Sequence, residues 1–334
     1  MDRLIVNGVE IVASVTVVLA AGVALLALEE LLVVWKQTGV RPTWKGPRGL
    51  VRGWWGMFSR LFTNRPAVGT SVVLVAVVAL FSVLPWAGWT PMPSNDGGLL
   101  VLLAIYGLAV WGLLWDREDL SGIDRAARWA QLQLSLAASV TGVVLLSGSV
   151  GLHGIVEAQT RAGLWWVVVQ PMGWGLFVLS TLESTRVVDG ESQRGLSALV
   201  RQLQLLAMAY VSVNLFFGGW GRAMTVPGLG DVIVSASVLH AKVVLVLAGL
   251  MVLRRVSWAG HTVDVVTNGT FLAAVGFANL FLTAVLRRAN GPEARLVPAI
   301  VMWSCLAMLV GAGYLVNRRG VRATHVVGDR GTGE

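Results

Sequence analysis

Long apolar blocks separated by short polar segments run through most of the sequence. Blocks of about 18 or more apolar residues are typical of membrane-spanning helices, whereas strands of a membrane barrel need only about ten alternating residues. We therefore predict an all-α polytopic membrane protein with one transmembrane domain over residues 1–320 and a disordered cytoplasmic tail over 321–334. The nine predicted spans are 9–34, 67–89, 97–116, 129–150, 164–182, 199–218, 231–253, 266–286 and 296–317.

The basic residues between these blocks predict the orientation. The first loop carries seven Lys and Arg residues between Lys36 and Pro66, and the third and fifth loops are also basic. The second, fourth and sixth loops together contain only Arg161 and Arg222. Because cytoplasmic loops are enriched in Lys and Arg, we predict a multi-pass protein with its N-terminus outside and its C-terminus in the cytoplasm. We expect the membrane to be the cell membrane of a prokaryote. The eighth loop, which is also basic, indicates either an unusual last hairpin or a partner protein there.

Composition narrows the function classes. Hydrophobic residues make up 55% of the chain and charged residues only 13%, and the formal net charge is +8. The basic loops fit contacts with anionic lipid headgroups. A nucleic-acid site would need a folded basic surface, and no predicted extramembrane segment is long enough to form one. The single cysteine, Cys305, and the four scattered histidines predict no metal or iron–sulfur site in this chain.

The first predicted cytoplasmic loop contains an amphipathic segment at about residues 47–63. Helical spacing places Leu50, Trp54, Phe58 and Leu61 on one face. An apolar face of this kind is typical of a short helix that lies in the plane of the membrane surface.

A few charged residues lie within or at the ends of predicted spans. Charges at membrane depth are costly, so they are candidates for function. Glu29 lies in the first span, Glu183 ends the fifth, and Lys242 lies inside the seventh. Arg186 follows Glu183 at a spacing that allows a helical ion pair. An interfacial position, with the charge solvated, is the alternative for Glu29 and Glu183. Lys242 lies deeper, where a buried ammonium group needs a partner, so we expect a functional or helix-pairing role for it.

Several motifs, taken together in order and spacing, resemble the H-type subunit of respiratory complex I and the equivalent subunit of membrane-bound hydrogenases. The fifth span and its end resemble that family's most characteristic signature, and the similarity extends over about residues 9–286. The matching segments are Gln170-Pro171-Met172-Gly173, Leu182-Glu183-Ser184-Thr185-Arg186, Leu215-Phe216-Phe217-Gly218-Gly219-Trp220, Arg125-Ala126-Ala127, and Glu29, Gln37 and Pro42 with Gly46-Pro47.

The resemblance implies an eight-helix core, to which this chain adds one C-terminal helix, and an interfacial helix after the first span. It also implies partners: a peripheral iron–sulfur arm and antiporter-like pumping subunits. In complex I the H-type subunit forms most of the quinone chamber and begins the polar axis for proton translocation. Quinone is therefore the ligand to consider, although the chain itself is expected to bind no cofactor.

The sequence departs from the family's pattern near the expected quinone chamber. The acidic loop after Arg186 is shortened by more than ten residues, and only Asp189 and Glu191 remain as acids there. An apolar residue near Leu134 replaces an acid of the fourth span. These changes predict a chamber that is smaller or more apolar than in ordinary complex I.

We interpret the chain as a membrane-arm subunit of a complex-I-like, ion-translocating oxidoreductase, not catalytic alone. It would anchor the redox arm and link it to the pumping subunits. A degenerate scaffold without quinone binding or coupling is one alternative. An independent transporter is another, which the lack of a visible inverted repeat disfavours. The candidates for a proton path or quinone chamber are Glu29, Glu183, Arg186, Asp189, Glu191 and Lys242.

Overall fold

The computed structural model describes residues 68–84, 98–115, 121–185, 196–221, 229–255, 269–288 and 297–308. Every regular element within these ranges is a helix. In chain order the helices are α1 Val68–Val83, α2 Gly98–Trp115, α3 Gly122–Ser147, α4 Leu152–Ala162, α5 Trp166–Val169, α6 Pro171–Ser184, α7 Leu196–Phe216, α8 Leu229–Arg255, α9 Gly269–Arg288 and α10 Val297–Met308.

Four of these helices are long and apolar enough to cross a membrane. The four stretches are Gly98–Trp115, Gly122–Ser147, Leu199–Phe216 and Val234–Leu253. Two shorter apolar stretches, Val68–Phe81 and Val297–Met308, also fall on predicted spans. The described part of the chain therefore confirms an all-helical protein and is consistent with a polytopic membrane protein, while the count of nine spans stays a prediction.

The predicted fifth span, 164–182, is not one continuous helix. It is divided into α5 and α6 at Gln170, whose backbone angles are φ −133° and ψ 57°. The cause is Pro171, because proline has no N–H and disfavours helical angles in the residue before it. The break places the polar side chain of Gln170 inside an otherwise apolar span.

Residues 152–162, which we expected to be a loop, form α4. Its buried residues Leu152, Ile155, Val156 and Gln159 recur at helical spacing and make a buried stripe that is too short and too polar to register as a span. Gly163, with a left-handed φ of 62°, ends the helix. Its N–H donates to Thr160, and the next N–H donates to Gln159, which is the Schellman pattern.

The described residues up to Trp129 and those between Ser184 and Val211 form the first of two compact units. Within it, α1 and α2 approach closely, since a side chain at Gly112 would lie 2.8 Å from the carbonyl oxygen of Gly69. The hydroxyl of the buried Tyr106 donates to Ser184 Oγ at 3.0 Å. Trp129 Nε1 donates to the Gly107 carbonyl at 2.9 Å.

The described residues from Ala130 to Glu183 and those from Ser212 onward form the second unit. Phe177 and Phe216 pack edge to face in its core, with their ring centroids 5.7 Å apart. Trp303 of α10 donates to the Val168 carbonyl at 2.9 Å, which ties the last described helix to α5. This unit contains Lys242 and most of the buried polar groups described below.

Candidate functional site

Lys242 lies near the middle of α8, and its ammonium group has two hydrogen-bond acceptors. Nζ donates to the backbone carbonyls of Phe217 and Gly219, each at 2.9 Å. The same nitrogen lies 5.2 Å from the ring centroid of Trp165, within the range of a cation–π contact. Two carbonyl dipoles and one indole face thus surround a half-buried positive charge.

The two carbonyls belong to a short loop, residues 217–221, that follows α7. Gly218 and Gly219 have φ values of 72° and 50°, a left-handed conformation that favours glycine. A side chain at Gly219 would also lie 2.8 Å from Val156 Cγ2. The loop conformation that presents both carbonyls to Lys242 therefore depends on these glycines.

Aromatic rings hold the 217–221 loop from two further sides. The ring of Phe217 lies 6.0 Å from Trp165 and 5.9 Å from Trp174. Trp220 stacks on His153 of α4, with centroids 5.6 Å apart. His153 also lies 3.0 Å from Glu157, but both side chains are about half exposed, so this contact contributes little to stability.

Gln159, 2% exposed, joins the same region from α4. Its Nε2 donates to the carbonyls of Asn214 and Leu215, both at 3.1 Å, in the last turn of α7. Its Oε1 accepts from the Trp166 N–H at 3.1 Å, at the start of α5. The ends of helices leave such backbone groups without helical partners, so a single side chain caps two helices.

A cavity of about 160 Å³ opens beside the 217–221 loop. Trp165 and Gly218 line it, and both also lie next to the Lys242 ammonium group. Gln159, Thr160 and Gly221 are among the other lining residues. A small molecule in this cavity would lie close to the position of the Lys242 charge.

A second polar group in the same unit is uncharged and fully buried. Gln170 Nε2 donates to the carbonyl of Ser139 and to Asn279 Oδ1, each at 3.4 Å. Asn279 Nδ2 in turn donates to the Ala138 carbonyl at 3.2 Å. Gly142 makes room for the amide, because a Cβ there would collide with Gln170 Nε2. These contacts tie α3, the α5–α6 break and α9 together.

This neutral cluster is only partly satisfied. Within the described part of the chain, Ser139 Oγ, Gln170 Oε1 and Thr283 Oγ1 are buried without a hydrogen-bond partner. An unpaired buried polar atom typically costs about 1–3 kcal/mol. The groups can hold helices in register and bind water, but they carry no net charge and cannot by themselves supply a proton.

The structure places few of the predicted charged residues. Glu183 is half-buried near the carboxyl end of α6. Glu29, Arg186, Asp189, Glu191 and the interfacial residues Leu50, Trp54, Phe58 and Leu61 lie outside the described residues. The Glu183–Arg186 pair therefore stays a prediction. Lys242 is not brought to a carboxylate among the described residues but to carbonyls and an indole ring.

Sequence reasoning missed the roles of Gln159, Gln170 and Asn279, all of which are buried. A signal existed for Gln170, because an amide directly before Pro171 interrupts an apolar block. For Gln159 and Asn279 only the folded arrangement shows that distant backbone groups need their hydrogen bonds.

Comparison with known proteins gives a consistent set of relatives, although no protein-family model matches the chain. It is 32% identical over 187 residues to an H-type subunit (form 2) of the NADH-quinone oxidoreductase of Rhodopseudomonas palustris CGA009, covering 48% of this chain and 56% of that relative. It is 26% identical over 256 residues to the form 1 protein of R. palustris BisB5, covering 66% of the chain and 79% of the relative.

A relative from a different bacterium gives the same result. The chain is 27% identical over 255 residues to the H-type subunit of the NADH-quinone oxidoreductase of Anoxybacillus flavithermus, covering 68% of the chain and 73% of the relative. The first of the three alignments spans only about half of its relative's length, and the other two span about three quarters. The chain is thus similar to the H-type membrane subunits of bacterial NADH-quinone oxidoreductases over about half to two thirds of its own length.

Proposed function

We propose that this chain is the H-type membrane subunit of a complex-I-like NADH-quinone oxidoreductase. It anchors a peripheral iron–sulfur arm to the membrane and connects it to antiporter-like, ion-pumping subunits. The observation that carries the proposal is the similarity to named H-type subunits over up to 79% of a relative's length. The apolar helices of the described residues support a position in the membrane arm.

In this proposal the chain provides a docking surface for the peripheral arm and part of a polar path for protons, and it does not form a complete active site by itself. Glu29, Glu183 and Arg186 are the residues we propose for the remaining polar site, with Asp189 and Glu191 next. Glu183 suits this role because it is half-buried at the end of an apolar helix. A carboxylate in such a position is costly without a functional or structural partner.

This chain differs most from ordinary H-type subunits near the expected quinone chamber. The loop after Arg186 has two acids, Asp189 and Glu191, before the next predicted span. We therefore propose a chamber smaller or more apolar than in ordinary complex I. The described buried polar groups around Gln170 are neutral. In this proposal, the charged groups of the proton path therefore include the acids Asp189 and Glu191.

Purification from native membranes tests the proposal. An affinity tag on this chain should recover iron–sulfur and antiporter-like subunits, identified by mass spectrometry, and the purified material should oxidise NADH with a quinone as acceptor. Recovery of the chain without such subunits would contradict the proposal and favour a transporter. Recovery of the subunits with hydrogen evolution instead of quinone reduction would assign it to the hydrogenase relatives.

A further inference from the structure

Lys242 is the charged side chain whose surroundings the structure describes most completely. Its ammonium group contacts two backbone carbonyls at 2.9 Å and the face of Trp165 at 5.2 Å. Carbonyl oxygens and an indole face are the groups that bind alkylammonium ions in proteins. The position of Nζ is thus a cation site built by the 217–221 loop and Trp165, with the lysine side chain as its occupant.

The same contacts disfavour a role in proton transfer. A relay group needs a neighbour that can accept and return a proton, such as a carboxylate, an imidazole or water. Among the described residues the ammonium meets only amide carbonyls and an aromatic ring, neither of which accepts a proton near neutral pH. The two carbonyls lie just after α7, where a positive charge is favoured by the helix dipole.

We propose that Lys242 is a fixed cation that fills this carbonyl-and-indole site and holds the 217–221 loop, and that it does not pass protons along the membrane axis. The second part rests on the proposed function, whereas the first part does not. Loss of the charge leaves the carbonyl oxygens of Phe217 and Gly219 without their Lys242 donor, so the 217–221 loop loses its hydrogen bonds to that side chain. The aromatic contacts of Phe217 and Trp220 and the backbone hydrogen bonds of the loop then remain.

The adjoining cavity makes the site testable with a small ligand. Lys242→Ala removes the side chain beyond Cβ, and the missing atoms correspond to 1-propylammonium. The cavity of about 160 Å³ shares Trp165 and Gly218 with the cation site, so it offers this ion a route inward. The alcohol 1-propanol has nearly the same shape without the charge and is the matched control.

Hydrogen exchange of the loop amides, measured by mass spectrometry, reports whether Lys242 holds the 217–221 loop in place. The N–H groups of Phe217 and Gly219 donate to the Val213 carbonyl, and that of Gly221 donates to Gly218, so all three are reporters. In the full-length protein in lipid nanodiscs, Lys242→Ala should exchange roughly tenfold faster or more at these amides, as expected when charge-assisted hydrogen bonds are lost. Added 1-propylammonium should restore slow exchange, and 1-propanol should not.

Two further variants separate charge from volume. Lys242→Met keeps most of the side-chain volume without the charge and should exchange as fast as Lys242→Ala. Val244→Ala changes an exposed position of the same helix and should leave the loop unchanged. Slow exchange in Lys242→Ala or Lys242→Met, or equal rescue by propanol, would overturn the cation site. Exchange that stays fast at every propylammonium concentration would also overturn it.

Whether Lys242 transfers protons is measured separately, as the number of ions pumped per NADH oxidised by the assembled complex. Lys242→Arg keeps a positive charge in the site but does not give up its proton near neutral pH, so this variant should pump ions with the wild-type stoichiometry per NADH oxidised. Slow loop exchange together with lost pumping would show that Lys242 relays protons and would overturn this part. If the chain is not part of a redox complex, the proposed function and this part fail together, while the exchange experiment still decides the cation site.

Discussion

The side-chain amide of Gln170 donates to Asn279 Oδ1 across 109 positions of sequence, at 3.4 Å and with both residues fully buried. Gln170 sits at the break between α5 and α6, and Asn279 lies in α9. Side-chain hydrogen bonds between membrane helices contribute about 0.6 kcal/mol on average and up to about 1.7 kcal/mol. This pair links the α5–α6 break to α9, which is distant from it in the sequence.

A double-mutant cycle should detect this pair. Gln170→Met and Asn279→Leu should each lower the free energy of unfolding by about 1 kcal/mol, since each leaves a buried polar group unpaired. The double mutant should lose less than the sum, because the shared hydrogen bond can be lost only once. Denaturant titration in mixed micelles measures the three values. Leu134→Ala, at a 70% exposed position of α3, is the control, and strict additivity would show that the two side chains do not interact.

Gly142→Ala should destabilise the second unit more than either of those changes. The added methyl group would collide with the Gln170 amide, and overpacking of a core typically costs about 1–3 kcal/mol. Gly249→Ala is the matched control, because nothing lies within 4 Å of a Cβ there, and it should be neutral or slightly stabilising. Shortening Gln170 to alanine should recover part of the loss in Gly142→Ala. Equal stability of the two glycine variants would contradict the close approach.

Gln159→Met should destabilise two helix ends together. It removes hydrogen bonds to the Asn214 and Leu215 carbonyls and to the Trp166 N–H, and three such bonds together contribute about 2–3 kcal/mol. The unfolding midpoint should fall, and hydrogen exchange at the start of α5 should accelerate. Thr160→Ala, in the next position and exposed, serves for comparison. If both variants unfold alike, Gln159 is not the cap that its contacts indicate.

Glu183→Gln should impair assembly or ion translocation more than a surface change of the same kind. We expect Glu183 to balance a nearby positive charge, with Arg186 as the predicted partner, and stranding such a charge out of water costs about 3–5 kcal/mol. Glu157→Gln, at a side chain 56% exposed, is the matched control. Native gels measure the amount of complex, and proton uptake by vesicles measures translocation. An unaffected Glu183→Gln variant would favour the scaffold interpretation.

The predicted orientation places the loop between Lys36 and Pro66 in the cytoplasm. With the single native cysteine changed in Cys305→Ser, a cysteine at Thr43 should be protected from a membrane-impermeant maleimide in intact cells and labelled after lysis. A cysteine at Ser94, in the predicted second loop, should be labelled in both cases. The reverse pattern would show that the chain has the opposite orientation.

Apolar block length was sufficient to predict most described helices, because a span needs many consecutive apolar residues. It failed at α4, whose stripe from Leu152 to Gln159 is too short and too polar to register as a span. It also joined α5 and α6, although Pro171 marked the break. Periodicity and local breakers contain this information, but a search for long blocks does not use it.

The site was harder to predict than the helices. Lys242 could be selected because a charge inside an apolar block is costly, but its partners are backbone carbonyls, which every residue has. Nothing in the sequence distinguishes the carbonyls of Phe217 and Gly219 from others. Only the folded loop, with its left-handed glycines, directs these two carbonyls to Lys242. Gln159 and Asn279 likewise depend on contacts between distant segments.

We propose that this chain is the H-type membrane subunit of a redox complex, and deletion of the gene for this chain tests the proposal most directly. In the native host, membranes of a strain lacking this chain should lose the NADH-driven quinone reduction of its complex, and the iron–sulfur arm should appear in the soluble fraction. Expression of the intact chain from a plasmid should restore both. Unchanged membrane attachment of the arm and unchanged NADH-driven quinone reduction in the deletion strain would contradict the account.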